Sequence, residues 1–364
     1  MSIVAPIPDI EVQSSRVVVA SQAWFEVRQQ DLGLWNDVLR GTEGSIYQYP
    51  FWNEPYRPLW LTPRYLAWGT QDRPLAFVAI LTLGAGPAKI GLVFRGPVCL
   101  RRGHQLSREI VADLLTWARS QGYVFIRFTH SDQQVLHQLA AAGHAEDFDG
   151  LPYFLDYPVL SPDYIVEQFE TEEETQAGFD REARRKLRRA AESGYEFTAS
   201  DSPEALLEHW DLYRDCAERK HFRLERPFSV YQETVRLAQA HDCVRIYSAR
   251  MNGKTVGSAL VFRDHTTAHC LLAAFDAEHR HAAVFLHWHA MRDMYRQGAH
   301  RYNLGPGPGS LARFKRQFCP NPVCYPGALT LVLKEGWFRC WKKVYPVAKG
   351  MRPTLRRVIS CIPR

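Results

Sequence analysis

The sequence predicts an α+β protein made of two tandem units, each a mixed, mostly antiparallel sheet flanked by helices. Three observations carry this reading. A chain of 364 residues, 46% of them hydrophobic, holds enough apolar side chains for roughly two domain cores. Short β-rich segments punctuated by turn residues run into an amphipathic helix and then a further strand. That order of strands, helix and strand occurs twice, although the residues filling it have diverged.

Residues before about Val17 contain prolines and lack a period, which predicts a loose arm. The strand-like run Val17–Ala20 and a helix over Ala23–Leu39 follow. The block Ile46–Trp60 (IYQYPFWNEPYRPLW) is too interrupted by proline for a helix, so its rings either line a groove or cap a core. Tyr65–Trp68, Leu75–Thr82 and Lys89–Phe94, separated by turn residues, form an antiparallel meander that Arg95-Gly96-Pro97-Val98 closes. The helix Leu106–Gln121 gathers Ile110, Val111, Leu114, Leu115 and Ala118 on one side to pack on the sheet, and Tyr123–Phe128 returns as a strand. A helix over Gln133–Ala142 stops at Gly143, and the strand Phe154–Val159 ends the first unit. The second unit repeats the scheme. Helices Pro203–Phe222 and Ser229–Gln239 precede strands Val244–Met251, Thr255–Phe262 and His269–Phe275, then the helix Val284–Gln297 and the strand Arg301–Leu304. The expected boundaries are 17–160, 161–335 and a basic segment, 336–364.

Lys and Arg outnumber Asp and Glu 45 to 39, a mild excess that favours acidic partners. It is concentrated in two places. Arg181–Arg189 holds six basic residues in nine, directly after the acidic run Asp163–Glu174; it either binds polyanions or is a solvated helix paired with that run. Lys334–Arg364 holds nine Lys/Arg against the single acid Glu335, with Trp337, Trp341, Val344, Tyr345 and Ala348 at helical spacing. Such a basic amphipathic helix rests on an anionic membrane, contacts RNA or packs on the second unit.

Several classes of chemistry lack support. The N-terminus has no basic leader before an apolar stretch and no apolar run reaches about 18 residues, which predicts a cytoplasmic protein. Cys99, Cys216, Cys243 and Cys270 sit in apolar stretches, as reduced core thiols do. His279, His281, His287 and His289 have no carboxylate at ligand spacing, and Cys319 and Cys324 have no second pair, so no metal site is expected. GxSxG, HExxH, Walker A and GxGxxG motifs do not occur, which leaves acyl transfer open.

The stretch Arg301–Phe318 (RYNLGPGPGSLARFKRQF) concentrates the remaining signal. A short strand feeds a Gly/Pro loop, after which come Phe314 and Lys315. A strand end running into such a loop brings bare backbone and one cation close to whatever binds there.

These residues resemble the Fem-type (FemABX) peptidoglycan-bridge aminoacyltransferases. The similarity spans roughly residues 45–330. It lies in Arg95-Gly96-Pro97-Val98, the basic helix ending ESGYEF, the AER turn at Ala217–Arg219, and above all Tyr302-Asn303-Leu304-Gly305 followed by Gly309-Ser310-Leu311-Ala312-Arg313-Phe314-Lys315 and Phe318. The resemblance implies two tandem GNAT-like domains and attack of a substrate amine on the ester carbonyl of an aminoacyl-tRNA. It implies no cofactor, because the ester is already activated. Lys315 would be the catalytic cation and Phe314 would position the reacting end. Arg219, Arg226, Arg57 and Tyr302 would contact the acceptor, and Arg184, Arg185, Lys186, Arg188 and Arg189 the tRNA backbone. The acceptor would be an amine, such as a cell-wall precursor, met by a monomer at the inner face of the membrane.

The chain departs from the family pattern at three points. Where close relatives have a lysine soon after the first-unit tryptophan, Trp52 is followed by Asn53-Glu54-Pro55-Tyr56-Arg57; the loop 305–309 is shorter and stiffer; and Cys319-Pro320 follows Phe318. Two other functions fit the sequence. One is an acyl-CoA-dependent GNAT N-acyltransferase, although Asp276–Phe285 lacks the glycines that hold a pyrophosphate at a helix N-terminus. The other is a non-catalytic RNA- or membrane-surface-binding protein.

Overall fold

The computed structural model describes residues 22–42, 44–101, 106–129, 132–146, 162–224, 226–307, 309–325 and 327–343. The run Val17–Ala20, the strand expected over Phe154–Val159 and residues 344–364 lie outside them.

Two mixed sheets flanked by helices form the fold. The first unit supplies strands β1 (Ala23–Glu26), β2 (Leu61–Thr70), β3 (Arg73–Leu83), β4 (Lys89–Phe94), β5 (Val98–Cys99), β6 (Tyr123–Thr129) and β7 (His144–Glu146). Its helices are α1 (Leu32–Arg40), α2 (Pro50–Asn53), α3 (Arg108–Ser120) and α4 (Gln133–Ala142). The helix expected over Ala23–Leu39 is thus a strand and a shorter helix. Trp24 explains the change: on β1, its indole is buried against α3 and donates to the Ile110 carbonyl at 2.9 Å, a contact a continuous helix would forgo. The aromatic block is not extended either. Proline at the start of α2 suits a first helical turn, and two 3₁₀ turns flank it.

The second unit begins with β8 (Ile165–Glu167), α5 (Glu172–Ala177), α6 (Arg181–Ala191) and β9 (Glu196–Ser200). Helices α7 (Pro203–Lys220) and α8 (Phe228–Gln239) follow, then β10 (Val244–Met251), β11 (Lys254–Arg263), β12 (Thr267–Phe275), α9 (Ala282–Arg296), β13 (Arg301–Asn303) and α10 (Gly309–Arg316). The chain then runs through β14 (Ala328–Val332) into helical residues 335–343, here α11.

Strand order is β1-β2-β3-β4-β6-β14-β7 in the first sheet, with β5 on β3, and β8-β13-β12-β11-β10-β9 in the second. β14 therefore returns from the end of the second unit to the first sheet, where it lies antiparallel between β6 and β7. β8, on the segment leaving the first unit, takes the matching place antiparallel to β13. The C-terminal helix follows β14: Phe338 and Trp341 pack edge-on against Phe125 of the first sheet at 5.3 and 5.1 Å, while Trp337 faces outward. Its described part rests on the first unit, not on the second.

Three apolar cores result. One lies between α3, α4 and the first sheet, another between α6, α9, α10 and the second. The third joins the units, with Trp35, Tyr49, Phe51, Trp52 and Phe77 from the first meeting Tyr213, Tyr231, Leu260 and Phe262 from the second. Among the described residues no helix is long and apolar enough to cross a membrane.

Leu331, fully buried on the returning strand, is the test of this architecture. Leu331→Ala should cost about 2–5 kcal/mol in denaturant unfolding. Calorimetry should show one transition for both units; a separate transition for an intact second unit would contradict the coupling.

Candidate active site

The second sheet opens where its two parallel strands part. β12 pairs with β13 only over Thr267–His269 against Arg301–Asn303, and then runs on to Phe275. Its counterpart in the first unit is closed, with β4 and β6 paired from Lys89 and Tyr123 to Phe94 and Thr129. The chain leaves β13 by turning at Gly305, whose φ of +71° suits glycine, and a Cβ there would also stand 3.6 Å from the Cys270 carbonyl.

Alternation along β13 sends neighbouring side chains to opposite faces. Tyr302 is fully buried in the second core, where its hydroxyl meets His287 Nδ1 at 3.4 Å. Asn303 faces the first unit and donates to Asp163 Oδ2 at 2.7 Å, while its Oδ1 accepts from the Gly305 N–H at 2.7 Å.

Lys315 lies on α10 behind the loop. Its ammonium donates to the Gly305 and Pro306 carbonyls at 3.1 and 2.7 Å, and the side chain is almost wholly buried. Burial pushes its pKa down to about 8, opposed in part by Cys270 and Asp163. Burial and the Lys315 charge push His287 down to about 3, so that imidazole is neutral; burial pushes the Cys270 thiol up to about 11. Phe314 is half-buried, packed on Phe318 and His287 at ring distances of 5.4 and 5.8 Å.

On the opposite face Asp163 gathers three donors on one oxygen. Oδ2 accepts from Arg95 Nη2 at 2.7 Å, Asn303 at 2.7 Å and the Tyr325 hydroxyl at 2.9 Å. Oδ1 is buried and has no hydrogen-bond partner among the described residues. Arg95 lies over the rings of Tyr47 and Tyr325 at 5.1 and 4.4 Å. Burial disfavours its charge, yet Tyr47, Tyr325 and Asp163 together raise its pKa, so it stays ionised. At Gly96 next to it a Cβ would come within 2.5 Å of the Gln48 amide and would push it off its bonds to the Phe94 carbonyl and the Ala79 N–H. Beside Asn303 on β12, His269 is bonded to Asp264 at 2.7 Å.

The expected site residues do not all meet. Lys315, Phe314 and Tyr302 cluster, but Tyr302 has no exposed surface. Arg226 is buried between the units, over Trp52, Tyr56 and Tyr231 at 5.6, 4.9 and 6.0 Å. Arg219 ends α7 and donates to the Phe275 carbonyl at the far end of β12, at 2.6 Å. Arg57 pairs with Glu54 at 2.6 Å on the first unit, away from the loop. On α6, Arg184, Arg185, Arg188 and Arg189 are exposed, and Lys186 reaches Gln317 at 3.2 Å just after α10. Asp163, Tyr325, Tyr47, Asp264 and His269 were not singled out from the sequence. Arg95 and Asn303 lay inside motifs quoted above without a role; Asp163 was hidden in a run of acids.

Residues 177–316 match the family model of the acetyltransferase (GNAT) domain. FemX has the same fold, with a TM-score of 0.73 at 15% identity over 88% of this chain and 99% of its own. L-PGS from Bacillus licheniformis gives 0.56 at 15% over 85% and 93%. The C-terminal domain of a protein from Agrobacterium fabrum, provisionally assigned as a lysylphosphatidylglycerol synthetase, gives 0.56 at 18% over 83% and 91%. No curated protein matches the chain by sequence. The chain has the two-unit GNAT-like fold that the Fem resemblance implies, and these findings support an acyltransferase.

Removing the Asp163 carboxylate leaves Arg95 buried without its counter-charge, so Asp163→Ala should cost about 3–5 kcal/mol and Asp163→Asn less, read by chemical denaturation. Lys315 carries a pH signature. With its pKa at about 8 against an ordinary 10.5, the folded state binds fewer protons than the unfolded between those values. Stability relative to Lys315→Met should therefore rise from pH 8 to 10.5 and be level below 8. Parallel pH curves for the two proteins would overturn the assignment.

Proposed function

We propose that the chain is an aminoacyltransferase that joins the aminoacyl group of an aminoacyl-tRNA to a substrate amine. The observation that carries this reading is the opening between β12 and β13, with the buried Lys315 ammonium bonded to the loop that lines it. An aminoacyl ester laid in that opening would have its carbonyl beside the loop. Because Lys315 is bonded to the loop, it acts on a developing oxyanion through space. At an effective dielectric of about 20, a unit charge about 5 Å away is worth roughly 3 kcal/mol.

Two features favour an aminoacyl-tRNA as the donor. The segment 276–281 before α9 has no glycine, and α9 has no side-chain cap, which is poor provision for a coenzyme A pyrophosphate. The arginines of α6 stand exposed, and Lys186 ties that helix to α10, so an RNA backbone held there would lie close to the loop. FemX and the lysylphosphatidylglycerol synthetase relative favour an aminoacyl donor as well. The Fem resemblance puts the amine of a cell-wall precursor first among acceptors, with Arg219 as the first candidate for its phosphates and Arg226 or Arg57 as second candidates. A second reading, an acyl-CoA-dependent N-acyltransferase, draws on the GNAT-domain match over residues 177–316.

Incubating the protein with tRNA carrying a labelled amino acid, or with labelled acetyl-CoA, beside a bacterial small-molecule extract separates the two. Label should enter an alkali-stable amide from the tRNA; transfer from the thioester alone would sink the leading reading. Lys315→Ala should lower turnover by about 10²–10³ with tRNA affinity within about twofold.

A further inference from the structure

We propose that His269, held by Asp264, is the general base that takes the proton from the attacking amine, with Asp264 as its positioning residue. The proposal rests on the amide-forming reading above, but not on the choice of acyl donor, because an amine must lose a proton to either.

The pair brackets the turn between β11 and β12. Asp264 Oδ1 accepts from the Thr266 and Thr267 N–H groups at 3.2 and 2.8 Å, and Oδ2 meets His269 Nε2 at 2.7 Å. Only 8% of the Asp264 side chain and 11% of the His269 side chain are exposed. Burial pushes the Asp264 carboxyl up, but His269 and the two backbone N–H groups outweigh it and hold the carboxyl below the usual range. An ionised carboxylate only accepts hydrogen bonds, so Nε2 carries a proton toward Asp264 and Nδ1 is the ring nitrogen left to exchange one. Among the described residues His269 Nδ1 has no hydrogen-bond partner, and the side chain keeps some open surface.

The position of the pair matters as much. His269 pairs with Asn303 on the last rung before β12 and β13 part, and the carbonyl of the next residue, Cys270, faces Gly305 across the opening. His269 thus flanks the gap on the side of the first unit, opposite Lys315. The titratable and charged groups around it are Asp264, Tyr47 at a ring distance of 6.4 Å, Tyr49, whose hydroxyl lies in the field of Asp264, and Arg95, Asp163 and Arg226 around Tyr47. Burial pushes the Tyr47 hydroxyl up to about 12, despite Arg95, so it does not compete as a base.

The step balances without another reactant. The amine nitrogen bonds to the acyl carbon and its proton passes to His269 Nδ1, giving an imidazolium that Asp264 stabilises. As the bond from the acyl carbon to the leaving oxygen breaks, the imidazolium returns that proton to the oxygen. The products are an amide and a free hydroxyl; with a thioester the proton goes to sulfur.

Three measurements test this. His269→Gln should lose about 10²–10⁴ in kcat with KM nearly unchanged, and Asp264→Asn should lose less while moving the acid limb of the kcat/KM profile to lower pH. In ¹⁵N-histidine spectra of the wild type at pH 8, His269 should carry its proton on Nε2 and none on Nδ1. A kcat for folded His269→Gln within about threefold of wild type, an unmoved acid limb, or a proton on Nδ1 overturns the proposal. Should His269→Gln fail to fold, the spectra and Asp264→Asn decide. The two readings fail differently: no amide from wild type with either donor overturns the function and the base role together, whereas normal amide formation by His269→Gln overturns the base role alone.

Discussion

The carboxylate of Asp163 is the constraint on which the rest of the site depends. It draws together Arg95 from the end of the first meander, Asn303 from the last strand of the second sheet and Tyr325 from the segment returning to the first. Its backbone also pairs with Val323 at 3.0 and 2.8 Å, so the two segments that cross between the units are joined there by main chain and side chain. A charge removed from water is costly unless countered and hydrogen-bonded, and Arg95 with two neutral donors offsets that cost at Oδ2. Such a cluster tolerates one arrangement of four segments. It therefore sets where Asn303 stands, and through Asn303 where the chain turns at Gly305.

Exchange of strands makes that arrangement durable. β8 and β14 flank the parallel strands β13 and β6 in equivalent places, each lying on a segment that passes between the units. Neither sheet is complete without the crossover, and the shared aromatic core between them adds a large apolar contact. The first unit uses its completed sheet to close fully over β4 and β6, and the second leaves β12 and β13 apart. One unit acts as a support and the other holds the opening. The opening has a cation behind its loop on one face and a carboxylate-held imidazole on the other.

Much of the fold was legible. The meander, the helices over Arg108–Ser120, Pro203–Lys220 and Ala282–Arg296, and the strand at Arg301 follow from periodicity and turn residues. Ala23–Glu26 misled because Trp24 and Phe25 suit either a helix or a strand in isolation; the neighbour that decides is Ile110, which lies 86 residues on. The Ala328–Val332 run is β-rich enough to read as a strand, but nothing local says that its partners are Phe125–Thr129.

By itself the sequence determined the class of fold, its use in duplicate, and the stretch around Gly305 and Lys315 as the place where chemistry concentrates. These rest on local properties: side-chain period, glycine and proline at turns, and a motif contiguous in the chain. Only the tertiary structure decided that Asp163 is a hub rather than one acid in an acidic run, that Tyr302 faces inward, that Arg57 stands apart, and that His269 meets Asp264. The physical reason is that burial and charge pairing are set by partners distant in sequence. A carboxylate reads the same in any run of residues, and its role depends on which donors the crossover brings within about 3 Å.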